Sequence, residues 1–527
     1  MIAGENQGAY LAQVDQRASS LQLVDRTEQI KKFNRVLDQI RSRRPVSTNL
    51  FEWHGGPGIG KTTLIILLLR ECDRRHIPRV LVNFSESEGL SEKYLNDPTR
   101  LIEDIVKGLV KTHPDTHALQ DGISELQDGI SEYRDGAPPQ PTVQAYFEMP
   151  REERLYHKPS WLTSLQEVTA DFVKLIAELA QSEHDSVQPV AVLFDETEYV
   201  HVELADWIEE WIIKPLVQMK HCVVVWTSRR PWRWKRPEIR RRLYSERLKV
   251  FGQDYVKQQF KMNSANPSLA ELFFKNVHVV TGGHPFANTV AISQIDDWVT
   301  AGQAFTPETF ASRESDLLSQ IFRRFIVDYA FKELNAPLKT ACELLAMVRL
   351  FDTTMLRQVL QVCGGKEFAK WHQEDFGDLM LRLKRTQLLV WHNGYAIDPD
   401  LRYVIQEYML ACEPQMYIAV NRTALQVYQD WLEKPVDNRG LFVIEELYHQ
   451  ACLRRAGEPV GLEEVLEARL QQYPNWIKDP QALRNALERL EGELVNDPEL
   501  ARFTDSLSST KLAKRVQDFL DSLPKGA

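Results

Sequence analysis

Eight consecutive residues constrain this 527-residue chain more than any others: Gly55-Gly56-Pro57-Gly58-Ile59-Gly60-Lys61-Thr62. Closely spaced glycines let successive backbone N–H groups turn inward around an anion, and a helix that follows points its positive end at the same place. The flanks supply that setting. Asn49 to His54 is a short apolar-rich run that reads as a buried strand, and Lys61 to Arg70 carries nearly continuous aliphatic residues that read as a buried helix. Strand, glycine loop and helix make a P-loop, in which Lys61 reaches the β and γ phosphates of a nucleotide and the Thr62 hydroxyl holds Mg²⁺. Gly55, Gly56, Pro57, Gly58, Ile59, Gly60, Lys61, Thr62 and Thr63 are the expected nucleotide-binding residues.

Further buried strands are read at Arg79 to Phe84, Val190 to Phe194 and Cys222 to Trp226, with helices between them at about Arg100 to Lys111 and Trp161 to Ala180. Apolar strands alternating with helices predict an α/β fold, a parallel sheet covered on both faces. Val190 to Phe194 delivers Asp195 and Glu196 at its end, where open α/β sheets bind ligands. Asp195 is the expected second Mg²⁺ holder, and Glu196 is placed to orient and deprotonate an attacking water. The next strand ends in Thr227-Ser228-Arg229, and Arg229 is the candidate sensor of the γ phosphate. Beyond it, Trp232-Arg233-Trp234-Lys235-Arg236 and Arg240-Arg241-Arg242 interleave bases with aromatics. This stretch reads as a solvated helix face or an arginine donor to a neighbouring subunit, with a nucleic-acid patch as the alternative.

Such a length exceeds one hydrophobic core and implies about three or four domains. The expected layout is an N-terminal extension over 1–20, an NTPase core over 21–250 with an insertion at about 112–160, a helical lid over 251–332, a winged helix over 333–412 and an all-helical domain over 413–527. The winged helix is read from helices at Leu338 to Val348, Thr353 to Val362 and Phe376 to Lys384, followed by a hairpin turning at Asn393-Gly394. The heptad Leu-Gln-Asp-Gly-Ile-Ser-Glu occurs twice from Leu119. It reads as a surface loop or short amphipathic excursion, since two copies cannot build a solenoid.

The formal net charge of -10 argues against a chain held on nucleic acid or anionic lipid by its overall field. Six singly scattered cysteines form neither a C-x-x-C metal site nor a disulfide framework and read as reduced thiols. No secretory leader opens the chain and no apolar run is long enough for a bilayer, so a cytoplasmic protein without membrane contact is expected.

In this order the motifs resemble the STAND class of P-loop ATPases, relatives of the AAA+ proteins. Val24-Asp25-Arg26-Thr27-Glu28 is similar to that class's opening motif, which implies Arg26 near the adenine. Thr281-Gly282-Gly283-His284-Pro285 is similar to its G-x-P motif, which implies Pro285 beside the same ring. The resemblance implies ATP/ADP with Mg²⁺, slow or regulated hydrolysis, a nucleotide-dependent homo-oligomer and a separate effector or partner protein. The resemblance fades after about Cys412; because every nucleotide-site candidate lies between Arg26 and Pro285, the helical tail after about Gln415 is expected to be the sensor or partner surface. One departure stands out: Ile397-Asp398-Pro399-Asp400-Leu401-Arg402 occupies the place of the class's Met-His-Asp, so a histidine lock on ADP is not expected here. The alternatives are a DNA-associated AAA+ ATPase of the origin-recognition kind and a scaffold that binds ATP without turnover.

Overall fold

The computed structural model describes residues 26–84, 90–113, 119–136, 149, 160–180, 187–302, 306–391, 394–434 and 439–523. The N-terminal extension and Val24 and Asp25 of the opening motif lie outside them. Two compact units result. One holds the described residues up to Phe274 together with His284–Thr289, and the other holds Lys275–Gly283 and the described residues from Val290 onward.

The first unit is built on β1 (Leu50–His54), β2 (Arg79–Asn83), β3 (Val190–Asp195), β4 (Cys222–Ser228) and β5 (Leu243–Arg247), in the order β2-β3-β4-β1-β5. Every neighbouring pair is parallel. Successive side chains of a strand point to opposite faces, and here both faces are covered. Val190, Val192 and Phe194 join one apolar cluster with Ile105, Leu165 and Phe172, while Ala191 and Leu193 join another with Phe33, Leu64 and Leu68. Burial on both sides is why these strands read as unbroken apolar runs. Because all strands run the same way, His54, Asn83, Asp195 and Ser228 end on one edge of the sheet.

β5 was not foreseen. Its sequence, Leu-Tyr-Ser-Glu-Arg, is only partly buried and lies at the sheet edge beside β1, where polar residues are tolerated and no apolar run is required. The tandem heptad is a helix, Gln120–Gly136, and not a loop. Leu119, Leu126, Ile130 and Tyr133 recur at helical spacing and are buried in the same cluster as the helix Ser160–Leu179. A Cβ at Gly122 would stand 2.8 Å from Glu178 Oε2 and 3.2 Å from Leu175 Cδ1, both side-chain ends on the helix Ser160–Leu179.

In the second unit the helices Ala336–Leu345, Thr353–Cys363 and Gln373–Arg385 precede an antiparallel hairpin of β6 (Leu389–Trp391) and β7 (Tyr395–Ile397), which is a winged helix. His392 and Asn393 of its turn lie outside the described residues. Asp352 caps the second helix by accepting from Met355 N at 2.8 Å, and Asp398 caps Pro399–Cys412 by accepting from Asp400 N at 3.0 Å. Five helices follow, Pro414–Leu432, Arg439–Arg455, Leu462–Trp476, Pro480–Asn496 and Pro498–Ser522. Tyr428, Leu432, Leu447 and Tyr448 are buried among them, as their spacing predicts. All six cysteines are free thiols, and among the described residues no helix is long and apolar enough to cross a membrane.

Candidate nucleotide-binding site

The glycine loop leaves β1 at Gly55, whose N–H donates to Ser228 O of β4 at 3.2 Å, and enters the helix Lys61–Arg74. Gly58 and Gly60 take φ values of 73° and 98°, a left-handed region that costs other residues about 1–2 kcal/mol. Three side chains from three segments hold the loop's carbonyls. Lys61 Nζ donates to Gly55 O at 2.8 Å and Gly56 O at 3.1 Å, Arg26 Nη2 donates to Ile59 O at 2.6 Å, and His284 Nε2 meets Pro57 O at 3.1 Å. Carbonyls held this way leave the first-turn N–H groups of the helix, which have no acceptor within it, for an anion. Lys61 itself is buried.

Asp195 ends β3 fully buried beside this loop. Its Oδ1 accepts from Glu196 N at 3.0 Å and from the Thr227 hydroxyl, while Oδ2 has no hydrogen-bond partner among the described residues. Burial pushes its pKa up, while the Thr227 hydroxyl and the nearby Thr62 hydroxyl hold it down, so Thr62 and Asp195 share one locus. A buried carboxylate oxygen without a donor, next to a threonine hydroxyl, fits a hard cation that completes its shell with phosphate and water. Among the described residues no cluster of three or more His, Cys, Asp or Glu could hold a metal by itself.

Glu196, the next residue, has φ 55°, an uncommon conformation for a non-glycine residue. Arg229 follows β4, but its guanidinium is engaged near the same edge: Nε lies 3.0 Å from Glu198 Oε1, and Nη2 donates to Tyr199 Oη at 2.9 Å. Arg26 also donates to Lys249 O at 3.3 Å and lies over the Phe251 ring at 5.2 Å. Pro285 opens the helix Pro285–Thr300, and its carbonyl accepts from Gln259 Nε2 at 2.8 Å.

Lys61, Thr62, Asp195, Arg26 and the loop glycines thus meet at one end of the sheet. Sequence reading missed His284, Thr227 and Glu198. His284 stands inside the Thr281 to Pro285 motif, whose resemblance implies a role for the proline alone. The hydroxyl of Thr227 was legible only as the end of a strand.

Trp232 to Arg236 lies in neither helix nor strand, whereas Arg240 closes the short helix Pro237–Arg240. Trp232 and Trp234 pack on Trp226 with ring centroids 4.9 and 5.3 Å away. Buried Glu52 accepts from Trp232 N at 2.6 Å, and buried Glu209 accepts from Lys235 N and Arg236 N at 2.6 Å. These tryptophans serve the core.

Five parallel strands, a phosphate loop between β1 and its helix, and an acidic end to β3 define the fold class. It is an α/β P-loop NTPase fold with a winged helix and a helical C-terminal region. No protein-family model matches the sequence, and no curated protein matches it. Among solved structures, Cdc6p from Pyrobaculum aerophilum is 12% identical, covering 74% of this chain and 95% of that one at a TM-score of 0.33. The RuvB Holliday junction branch migration motor of Thermotoga maritima is 12% identical over 71% and 92%, with a TM-score of 0.32. Orc1 of Aeropyrum pernix in complex with DNA is 13% identical over 73% and 92%, with a TM-score of 0.33.

Proposed function

We propose that this chain is a STAND-type switch that binds ATP with Mg²⁺, hydrolyses it slowly, and changes conformation or assembles with its own copies to act on a separate partner protein. The observation that carries the nucleotide part is the meeting of Lys61, Thr62 and buried Asp195 beside a loop whose carbonyls are held by side chains. In this reading Lys61 exchanges Gly55 O and Gly56 O for the β and γ phosphates, while Thr62 and Asp195 hold the metal. Glu196 orients and deprotonates the attacking water, and Arg229 meets the γ phosphate. Arg26 and Pro285 flank the base. A nucleotide can drive a switch only through different affinities for its two forms. Phosphate release and sizing of the full chain with ADP, ATP and a non-hydrolysable analogue test this. Turnover and assembly should both vanish in Lys61→Ala, and undiminished turnover there removes the P-loop assignment.

A second reading, a DNA-associated ATPase, is favoured by exposed Arg382, Lys384 and Arg385 at the end of the helix Gln373–Arg385 and by Trp391, 66% exposed on the wing. Exposed Glu374, Asp375 and Asp378 at the start of that helix oppose phosphate contact. Duplex binding should therefore be weak and without sequence preference at physiological salt. A sequence-selective nanomolar complex would promote this reading over the first.

A further inference from the structure

We propose that His284 is a positioning residue of the nucleotide site, fixing the path of the phosphate loop by donating from Nε2 to the Pro57 carbonyl. The inference rests on the reading of that loop as a nucleotide site.

His284 is 1% exposed and both ring nitrogens have work to do. Nε2 lies 3.1 Å from Pro57 O, which can only accept, so this nitrogen carries the proton. Nδ1 faces Ala287 N at 3.5 Å while the His284 carbonyl accepts from Asn288 N at 2.8 Å. The imidazole therefore caps the helix Pro285–Thr300 where a serine or aspartate would ordinarily stand. Burial, with the charges of Lys61 and Arg26, pushes its pKa down to about 3, so the ring is a neutral donor. Gly282 and Gly283 precede it at φ 63° and 75°, a pair of left-handed turns that other residues resist.

The loop gives this bond its weight. A phosphate needs the N–H groups facing inward and hence the carbonyls held away. Gly55 O and Gly56 O are held by Lys61, which must leave them to reach phosphate. Ile59 O is then anchored by Arg26 and Pro57 O by His284. With nucleotide bound, His284 anchors the loop's first half.

Two substitutions separate the bond to the loop from the cap. Asparagine at 284 retains a short acceptor for the helix cap but falls short of Pro57. Glutamine extends an N–H toward Pro57 and caps poorly. The dissociation constant of a fluorescent ADP analogue, measured by anisotropy on the full chain, should rise about tenfold in His284→Asn, the worth of one hydrogen bond, and stay within about threefold of wild type in His284→Gln. Losing a buried hydrogen bond should also lower the melting temperature of the nucleotide-free His284→Asn protein, so affinities are compared well below the melting of every variant, which separates positioning from folding. Wild-type affinity in His284→Asn, or a glutamine variant as weak as the asparagine one, overturns the inference. If wild type and Lys61→Ala both fail to bind, it is the reading of the site that fails.

Discussion

Arg349 forks onto Glu445, with Nε 3.2 Å from Oε2 and Nη2 2.8 Å from Oε1, and turns Nη1 to Asp497 at 2.6 Å. The arginine belongs to the winged helix and both acids to the helical tail, and the Tyr448 ring lies 4.1 Å from the guanidinium. Nearby, Arg402 pairs with Glu499, and Glu407 pairs with Arg455 and Arg502. These attractions outweigh burial and keep Arg349 charged. Removing one partner of such a pair strands a buried charge and costs about 3–5 kcal/mol. Glu445→Ala leaves Arg349 to Asp497 alone and should lose up to that much in urea unfolding of the full chain, and adding Arg349→Met and Asp497→Asn, which keeps the helix cap, should recover part of it. A single variant as stable as wild type would show the pair to be idle. The same network means that a fragment ending near Gln415 strips Arg349, Arg402 and Glu407 of their partners. Truncation there tests folding before regulation, so the tail's expected sensing role is better probed by exposed substitutions.

Glu196 offers two readouts that separate chemistry from backbone. Glu196→Gln keeps the shape and removes the base, so hydrolysis should slow by about 10²–10⁴-fold while ATP remains bound. Glu196→Gly should lose turnover likewise yet gain about 1 kcal/mol of stability, because glycine adopts φ 55° without strain. Single-turnover phosphate release and thermal melting measure the two. Equal loss of ATP binding in Glu196→Gln would make the residue structural.

Glu198 and Tyr199 hold Arg229 through Nε and Nη2, so a turn of its guanidinium toward a γ phosphate competes with both contacts. Glu198→Gln weakens that hold and should favour triphosphate over diphosphate. Arg229→Ala should weaken ATP about tenfold and leave ADP unchanged, as expected for one charge-assisted contact. Titrating both nucleotides against each variant gives the ratio. Parallel shifts for ATP and ADP would mean that Arg229 does not distinguish them.

Much of this architecture was legible because burial writes a plain signature. β3 and the first five residues of β4 are apolar on both faces, β1 is buried on both with Glu52 as a buried acid, and Thr353–Cys363 and Gln373–Arg385 repeat their apolar residues at helical spacing. What stayed hidden depends on long-range contact. β5 is held by its pairing with β1, and Trp232 and Trp234 read as part of a solvated basic stretch until Trp226 is placed beside them. His284 meets Pro57 across 227 residues of chain, a distance no local pattern reports. The run Ile397 to Arg402 departs from the STAND pattern, and in the fold its Asp398 caps a helix while Arg402 reaches Glu499.

Acid should weaken the folded chain above the range where most carboxylates titrate. His449 is fully buried, with Nδ1 2.8 Å from Asn421 Oδ1 and its ring 5.5 Å from that of Tyr428. Burial, reinforced by Arg349 and Arg402, pushes its pKa down to about 3, and His284 is likewise pushed down to about 3. Both rings stay neutral when folded, whereas an unfolded histidine gains its proton near pH 6.5. Between those values the unfolded chain binds more protons, so stability rises with pH and is lost as pH falls from about 6.5 toward 3. From pH 7 to 5.5 each ring should cost about 1 kcal/mol. His449→Gln keeps an N–H for Asn421 and removes one titrating group, so its loss over that interval should be smaller than wild type by about that amount. Urea unfolding at the two pH values decides it, with the second unit's transition as the readout. An unchanged pH dependence in His449→Gln would mean that His449 does not stay neutral in the folded chain.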